Sequence, residues 1–316
     1  MNAPEPDERR SVLGEAERER LSEIFGERAR FDEPLAPYTS WKVGGPADAL
    51  VAVERSSELE ALLELVRKRR LPWFVLGSGS NLLVGDGGIR GITLRLGGEF
   101  AALSFRDDVT DEVLVDAGAS ASMALLTAQA ASRGAVGIGS LAGIPGSVGG
   151  ALRMNAGTDR EIGEFVRDVW VQTPAKPAAH RVTMQYFYRH TTLARDAVVA
   201  RVTLGFERGD PALVRADMQQ RLVRRKNRQP LQFPNAGSCF RNPPGERAGH
   251  LIEAAGAKGW RSGGAEVSEL HANFIVNRDG ATAADVAALL AKVRRAVADR
   301  FGIELELEVH FVGVFT

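Results

Sequence analysis

The chain has 316 residues, of which 44% are hydrophobic and 25% charged. That balance excludes a disordered, collagen-like or disulfide-stapled chain, and the length suits about two domains of roughly 150 residues each. Forty Lys plus Arg against forty Asp plus Glu leave no net charge, so no global basic field draws in nucleic acid or an anionic membrane, and an anionic ligand must be held by local groups. A single cysteine excludes an internal disulfide and a cysteine-built metal site, and fits a reducing cytosol. The charged opening lacks the apolar stretch of a secretory signal, and no apolar run is long enough to span a bilayer. The five histidines show no i, i+4 pair, so no metal is expected.

Residues 1–12 read as a disordered tail and 13–30 as a polar helix. A proline-containing lead-in runs from Phe31 to Tyr38. Ala49 to Glu54 has the pattern of a strand. Ser57 with Glu60 suggests a capping box for a helix whose Leu59, Leu62, Leu63 and Val66 share one face. Pro72 to Leu76 is the next strand, and short strand patterns follow at Gly91–Leu96 and Val113–Val115. Met123 to Ser132 reads as an alanine-rich helix, with strands again at Phe165–Gln172 and Ala197–Phe206. Gly209, Asp210 and Pro211 mark a boundary, with Pro211 suited to a first helical turn. Thr282 with Asp285 caps a helix bearing Val286, Leu289, Leu290, Val293 and Val297, and Gly302 stops it. Residues 303–313 alternate apolar and polar, which predicts a strand.

The 34 glycines are the unusual count, and they cluster into three loops. The first, Gly77-Ser78-Gly79-Ser80-Asn81-Leu82, follows a strand. Its turned N–H groups would suit a pyrophosphate, or it is a tight strand-to-strand turn. It is neither a dinucleotide G-x-G-x-x-G fingerprint, since Leu82 stands at the third glycine, nor a P-loop, since no Gly-Lys-Ser/Thr occurs. The second spans Gly139 to Gly157 and includes Gly143, Ile144, Pro145, Gly146, Ser147, Gly149, Gly150, Asn155 and Ala156. A flat, partly apolar ligand lying on main chain explains it, and so does close helix packing through glycine. The third runs from Asn235 to Pro243, placing Ser238 between Gly237 and Cys239-Phe240 just after the basic run Arg224, Arg225, Lys226 and Arg228. Cys239 reads as a small buried apolar side chain rather than a nucleophile.

Together the stretches YTSWKVGGPAD, LGSGSNLLVGDGGIRG, AGIPGSVGGALRMNAG, YRHT, RQP, NAGSCFRNP, HLIEAAGAKG, VSELHANFIVN and FGIELELEV, in this order and spacing, resemble the UDP-N-acetylenolpyruvoylglucosamine reductase (MurB) family of flavoenzymes. The resemblance covers the chain from about Pro37 to Gly313. Only 49 positions separate Arg189 from Ser238, too few for the extra loop of the longer type I enzymes, so the similarity is to type II.

It implies an α+β chain: a two-subdomain FAD-binding fold of the vanillyl-alcohol-oxidase (PCMH) type, then an α/β substrate-binding domain. The implied divisions are 1–30 for the N-terminal tail and helix, 31–100 and 101–209 for the two FAD subdomains, and 210–316 for the UDP-sugar domain. It further implies that the first two loops, Gly77 to Leu82 and Gly143 to Gly157, hold FAD. Arg189, Ser238 and Glu308 would then be catalytic, and Tyr188, Arg228 and Asn242 would contact the substrate. NADPH would be the reductant in a cytoplasmic monomer making UDP-N-acetylmuramate for peptidoglycan. Thr191 stands where the family has Ser, and Leu307 where it has Pro before the glutamate, so Glu304 and Glu306 compete with Glu308 for the acidic role.

In the implied reaction a hydride reaches the far carbon of a vinyl ether, and charge builds into the adjoining carboxylate. The planar cationic fork of Arg189 suits that charge. Ser238 would supply the proton, where geometry matters more than resting acidity. Glu308 between Leu307 and Val309 would be pushed toward its protonated form by desolvation. Two readings compete: another flavin oxidase or dehydrogenase of the same broad fold, and a nucleotide-binding module without turnover.

Overall fold

The computed structural model describes residues 11–106 and 111–315. The expected tail therefore lies mostly outside the described residues. Helices and strands are interleaved as an α+β fold with three packed units.

In the first unit α1 (Glu15–Phe25) and β1 (Ala29–Pro34) lead into β2 (Pro46–Val53), α2 (Ser56–Arg69), β3 (Trp73–Val75), β4 (Leu82–Val84) and β5 (Ile89–Leu96). The sheet order is β1-β2-β5-β3, with β1 antiparallel to β2 and the other pairs parallel. The expected helix over 13–30 is shorter because Gly26, at φ 56°, turns the chain. The lead-in from Phe31 is part of edge strand β1, whose alternating burial a period-2 pattern could have shown. Leu59, Leu62, Leu63 and Val66 face the sheet as expected, joined by Leu21 and Phe25 of α1. The capping box at Ser57 and Glu60 is not formed. Glu58 takes that role: its carboxylate accepts from the N–H groups of Glu54 at 2.9 Å and Arg55 at 3.3 Å, and from Arg28 at 2.8 and 2.9 Å. A buried carboxylate gripped by guanidinium groups outcompetes the exposed Ser57 hydroxyl.

The second unit comprises β6 (Leu103–Arg106), β7 (Glu112–Gly118), α3 (Met123–Ser132), α4 (Val148–Arg153), β8 (Val166–Gln172), β9 (His180–Val182), the small hairpin β10 (Tyr186–Phe187) and β11 (His190–Thr191), and β12 (Val198–Glu207). Its five-stranded sheet runs β6-β7-β12-β8-β9, wholly antiparallel. Val115, Leu126, Leu152, Val202, Leu204 and Phe206 build its core. Helix α5 (Pro211–Arg228) starts as expected, with Asp210 as its cap and Pro211 in its first turn. It packs on this second core through Val214 and Met218, although its sequence groups it with the chain after 209. Arg221 fixes it there, donating to both carboxylate oxygens of Asp159 at 2.7 and 3.0 Å.

The third unit holds α6 (Ala248–Ala254), the sheet β13 (Arg261–Ser262), β14 (Ala265–Val267) and β15 (Ile275–Asn277), α7 (Ala283–Phe301) and β16 (His310–Val312). Thr282 and Asp285 cap α7 reciprocally at 3.0 Å, and Gly302 ends it at φ 67°, as the sequence predicts. The strand expected over 303–313 is confined to β16. The alternation is real, with Leu305 and Val309 buried and Glu304 and Glu306 exposed, but only β16 has a ladder partner, pairing parallel with β4.

Specific bonds seat the third unit on the first. The Trp41 indole donates to the Ile275 carbonyl at 2.7 Å, and Asn277 donates back to the Trp41 carbonyl at 2.9 Å. Asp86 accepts the N–H groups of Ala283 and Ala284, both at 2.9 Å, capping α7 from the other unit.

Candidate active site

The first two glycine loops meet. Gly79 lies at φ 60°, and a Cβ there would come within 2.5 Å of the Tyr38 carbonyl. Gly146 lies at φ 116°, and its Cβ would sit 2.8 Å from the Ser80 hydroxyl oxygen. The Ser80 hydroxyl donates to the Pro145 carbonyl at 3.3 Å. Gly79 thus lets main chain approach the Tyr38 main chain, and Gly146 lets the second loop close on the Ser80 side chain. Among the described residues, no hydrogen bond of the fold uses the backbone N–H of Gly77, Ser78, Gly79, Ser80 or Asn81. Five consecutive unengaged donors in a turned loop would suit a pyrophosphate.

The second loop shows the close glycine packing that its sequence allows. Leu141, Val148 and Leu152 point into the core, α4 begins inside it, and Gly149 packs against Ala119, where a Cβ would come within 2.9 Å. Ser147 caps α4 by accepting the Gly150 N–H at 3.4 Å. Gly143, at φ 74°, lies under Arg225, whose burial lowers its guanidinium pKa. The Asn155 side chain is buried at φ 42° and committed to protein: Oδ1 accepts from Gly163 at 3.0 Å, and Nδ2 donates to the Phe187 carbonyl at 3.0 Å and to the Glu161 carboxylate. The main chain here is largely committed too: the N–H groups of Asn155 and Ala156 donate to Leu152 and Ala151, the Ala156 carbonyl accepts from Ile162, and the Gly157 carbonyl accepts from Arg189.

Arg189 sits in the β10–β11 turn at φ 60°, a costly conformation for a side-chain-bearing residue. Its Nε donates to Glu308 Oε1 at 3.0 Å, Nη1 to Glu161 Oε1 at 3.3 Å and Nη2 to the Gly157 carbonyl at 3.0 Å. The guanidinium carbon lies 4.7 Å from the Tyr188 ring centre. Glu308, not Glu304 or Glu306, reaches it. Glu304 pairs with Arg294 and Glu306 with Arg241, both glutamates lying on the exposed face. The Glu308 main chain is held on both sides, its N–H donating to the Cys239 carbonyl at 2.8 Å and its carbonyl accepting from Asn81 Nδ2 at 3.0 Å. Burial raises the Glu308 carboxyl pKa, with Arg189 opposing.

Ser238 precedes the residue that pairs with Glu308. Gly237, at φ 78°, turns the loop, and Asn273 pegs it by accepting from the N–H groups of Cys239 at 2.8 Å and Phe240 at 2.9 Å. The Ser238 side chain is half-buried and engages no protein partner among the described residues. Cys239 is buried, and burial pushes its thiol up to about 12, so it is the inert apolar residue expected. Asn242 accepts from the Ala248 N–H at 3.1 Å, leaving its amide N–H groups uncommitted. Arg228, at the end of α5, is exposed and bonded to none of these residues. Sequence reasoning missed Glu161 and Asn273, whose bonds to Arg189 and to Phe240 join positions 28 and 33 apart.

Among the described residues no three His, Cys, Asp or Glu side chains group as metal ligands, and no helix is long and apolar enough to cross a membrane.

The FAD binding domain family matches residues 47–173, and the UDP-N-acetylenolpyruvoylglucosamine reductase C-terminal domain family matches 229–312. The UDP-N-acetylenolpyruvoylglucosamine reductase of Moorella thermoacetica is 44% identical over 285 residues, covering 89% of this chain and 92% of that protein. That of Anaeromyxobacter dehalogenans strain 2CP-C is 46% identical over 297 residues, covering 92% and 88%. The crystal structure of the Thermus caldophilus enzyme (MurB) superposes with a TM-score of 0.75 at 37% identity, covering 90% of this chain and 98% of that one. With its FAD-binding and C-terminal domains both matched and near-full-length relatives above 40% identity, the chain belongs to the UDP-N-acetylenolpyruvoylglucosamine reductase family.

Proposed function

We propose that this flavoenzyme reduces UDP-N-acetylglucosamine enolpyruvate to UDP-N-acetylmuramate, with NADPH as reductant, for peptidoglycan precursor synthesis. The single observation that carries the reading is the bonding of Arg189 and Glu308 to each other and, through the Glu308 main chain, to Asn81 of the first loop and Cys239 of the third. One side-chain pair thereby links the cofactor loops to the serine loop. The free N–H groups of residues 77–81 and the main chain of 143–157 would hold FAD. When bound, FAD accepts a hydride from NADPH and supplies one to the far carbon of the substrate double bond.

The residues of the chain then act on the substrate. Five N–H bonds belong to a guanidinium, and three of those on Arg189 are spent inside the protein. The two left would receive the enolpyruvyl carboxylate as negative charge spreads into it. Preorganised donors of this kind typically do more than any other single effect to stabilise an oxyanion. Burial raises the Glu308 carboxyl pKa, which weakens its repulsion of a neighbouring anion, and its pairing with Arg189 offsets the rest. The Ser238 hydroxyl gives its proton to the near carbon. Tyr188, Arg228 and Asn242 would contact the UDP-sugar. The division at residues 100 and 209, with α5 spanning from the third segment to the second unit, a monomeric state and a cytoplasmic location belong to the same reading.

Stopped-flow spectroscopy tests it in two halves. NADPH should bleach the bound flavin, and the enolpyruvyl UDP-sugar should restore its colour. Ser238→Ala should keep the first half near the wild-type rate and slow the second by at least about a hundredfold. Equal loss in both halves would remove Ser238 as proton donor.

A further inference from the structure

We infer that Glu161 is a positioning residue that aims Arg189, and that with Asn155 it makes the aim depend on the second glycine loop. The inference rests on the reading of Arg189 as the group that meets the substrate carboxylate, and it deepens that reading.

Arg189 needs outside support. It projects from a two-residue turn between strands of only two residues each, and its own backbone lies at φ 60°. Glu308 holds one edge of the guanidinium, through Nε. A single contact at Nε leaves the plane free to swing about that bond. Glu161 at Nη1 and the Gly157 carbonyl at Nη2 add two further points, and three points fix a plane. Glu161 is itself fixed. Its second oxygen accepts from Asn155 Nδ2, and Asn155 also holds the Phe187 carbonyl, two residues before Arg189. Side chain and backbone of the turn are thus tied to the segment 155–161, where the second glycine loop ends.

The chemistry demands a carboxylate at this position. Two donors, Arg189 Nη1 and Asn155 Nδ2, converge on its two oxygens, and glutamate accepts both. Glutamine has one oxygen and one NH2, so in either orientation it turns N–H toward a donor. Glu161→Gln preserves volume and still breaks one of the two bonds.

The test uses the full chain loaded with FAD. Glu161→Gln and Glu161→Ala should leave flavin content and reduction by NADPH within about twofold of wild type. Single-turnover reoxidation by the enolpyruvyl UDP-sugar should slow about tenfold to a hundredfold, the scale of a small misplacement of a reacting group. In an Arg189→Lys background, Glu161→Gln should cost less than about a further threefold, because a lysine has no plane to aim. A merely structural glutamate would depress both half-reactions alike and multiply with Arg189→Lys. If Glu161→Ala does not fold, the isosteric Glu161→Gln decides alone. Wild-type reoxidation by Glu161→Gln, or multiplying effects, overturns this inference. Reduced wild-type enzyme that the UDP-sugar does not reoxidise overturns the parent reading and this one with it.

Discussion

The first glycine loop and the Arg189 cluster are built by opposite means. Residues 77–81 present main-chain N–H groups and put glycine where a side chain would collide. The Arg189 cluster works through side chains, pairing residues 119 and 28 positions apart in sequence. Backbone donors suit a ligand with fixed charge, because their dipoles are set by the fold. Charge that appears only during reaction calls for a mobile side chain held still by others. The row of free donors at residues 77–81 is therefore local in sequence, whereas the Arg189 cluster exists only after distant loops have met.

Three substitutions probe that contrast, beginning with the greatest effect. Arg189→Ala should slow reoxidation of the reduced enzyme by about a hundredfold to a thousandfold while flavin binding survives, as when a preorganised donor to developing charge is lost. Rapid-mixing absorbance would record it, and loss of flavin instead would blur the two regions into one. Gly79→Val should do the reverse. Its Cβ would meet the Tyr38 carbonyl at 2.5 Å from a backbone at φ 60°, so the loop must distort. Flavin affinity should fall about fivefold to a hundred-and-fiftyfold for a strain of roughly 1–3 kcal/mol, measurable by flavin fluorescence titration. Unchanged affinity would show that this loop is only a turn.

Glu58→Gln, remote from both regions, should spare both half-reactions and cost about 2 kcal/mol of stability at neutral pH, read from urea melts. The grip of Arg28 and the backbone holds the Glu58 carboxyl at about 2, below the ordinary value of 4.5. A depressed carboxylate stabilises the fold above its unfolded pKa and loses that contribution as pH falls from about 4.5 toward 2. The variant should therefore lack this part of the acid-side decline. A parallel decline in both proteins would show that Glu58 contributes nothing to it.

The third glycine loop shows how legibility divides within one segment. Gly237 before Ser238, and Asn235 turning back to accept the Gly237 N–H at 3.0 Å, are local and readable as a turn. That Glu308 pairs with the carbonyl of Cys239 is not, since it joins positions far apart along the chain. The family resemblance named Arg189, Ser238 and Glu308, but residue spacing alone could not have joined them. Glu161 has a local signal only as the residue capping a short turn with Glu164, three positions on; nothing local signals its bond to Arg189.

Sequence alone determined what depends on neighbours a few positions away. It set the bounds of α3, the reciprocal cap and glycine stop of α7, the start of α5 at Pro211, and the glycine content of the loops. Local hydrogen bonds and backbone sterics act over such distances. Tertiary structure decided which of two competing signals prevailed. Glu58 displaced Ser57 as a cap because Arg28 lies beside it, and the alternating 303–313 segment became strand only where β4 offered a partner. It also chose Glu308 over its neighbours, because burial and a guanidinium from another unit meet at that position alone. Pairing energy is realised only between groups that folding brings together, so no pattern within a single segment encodes it.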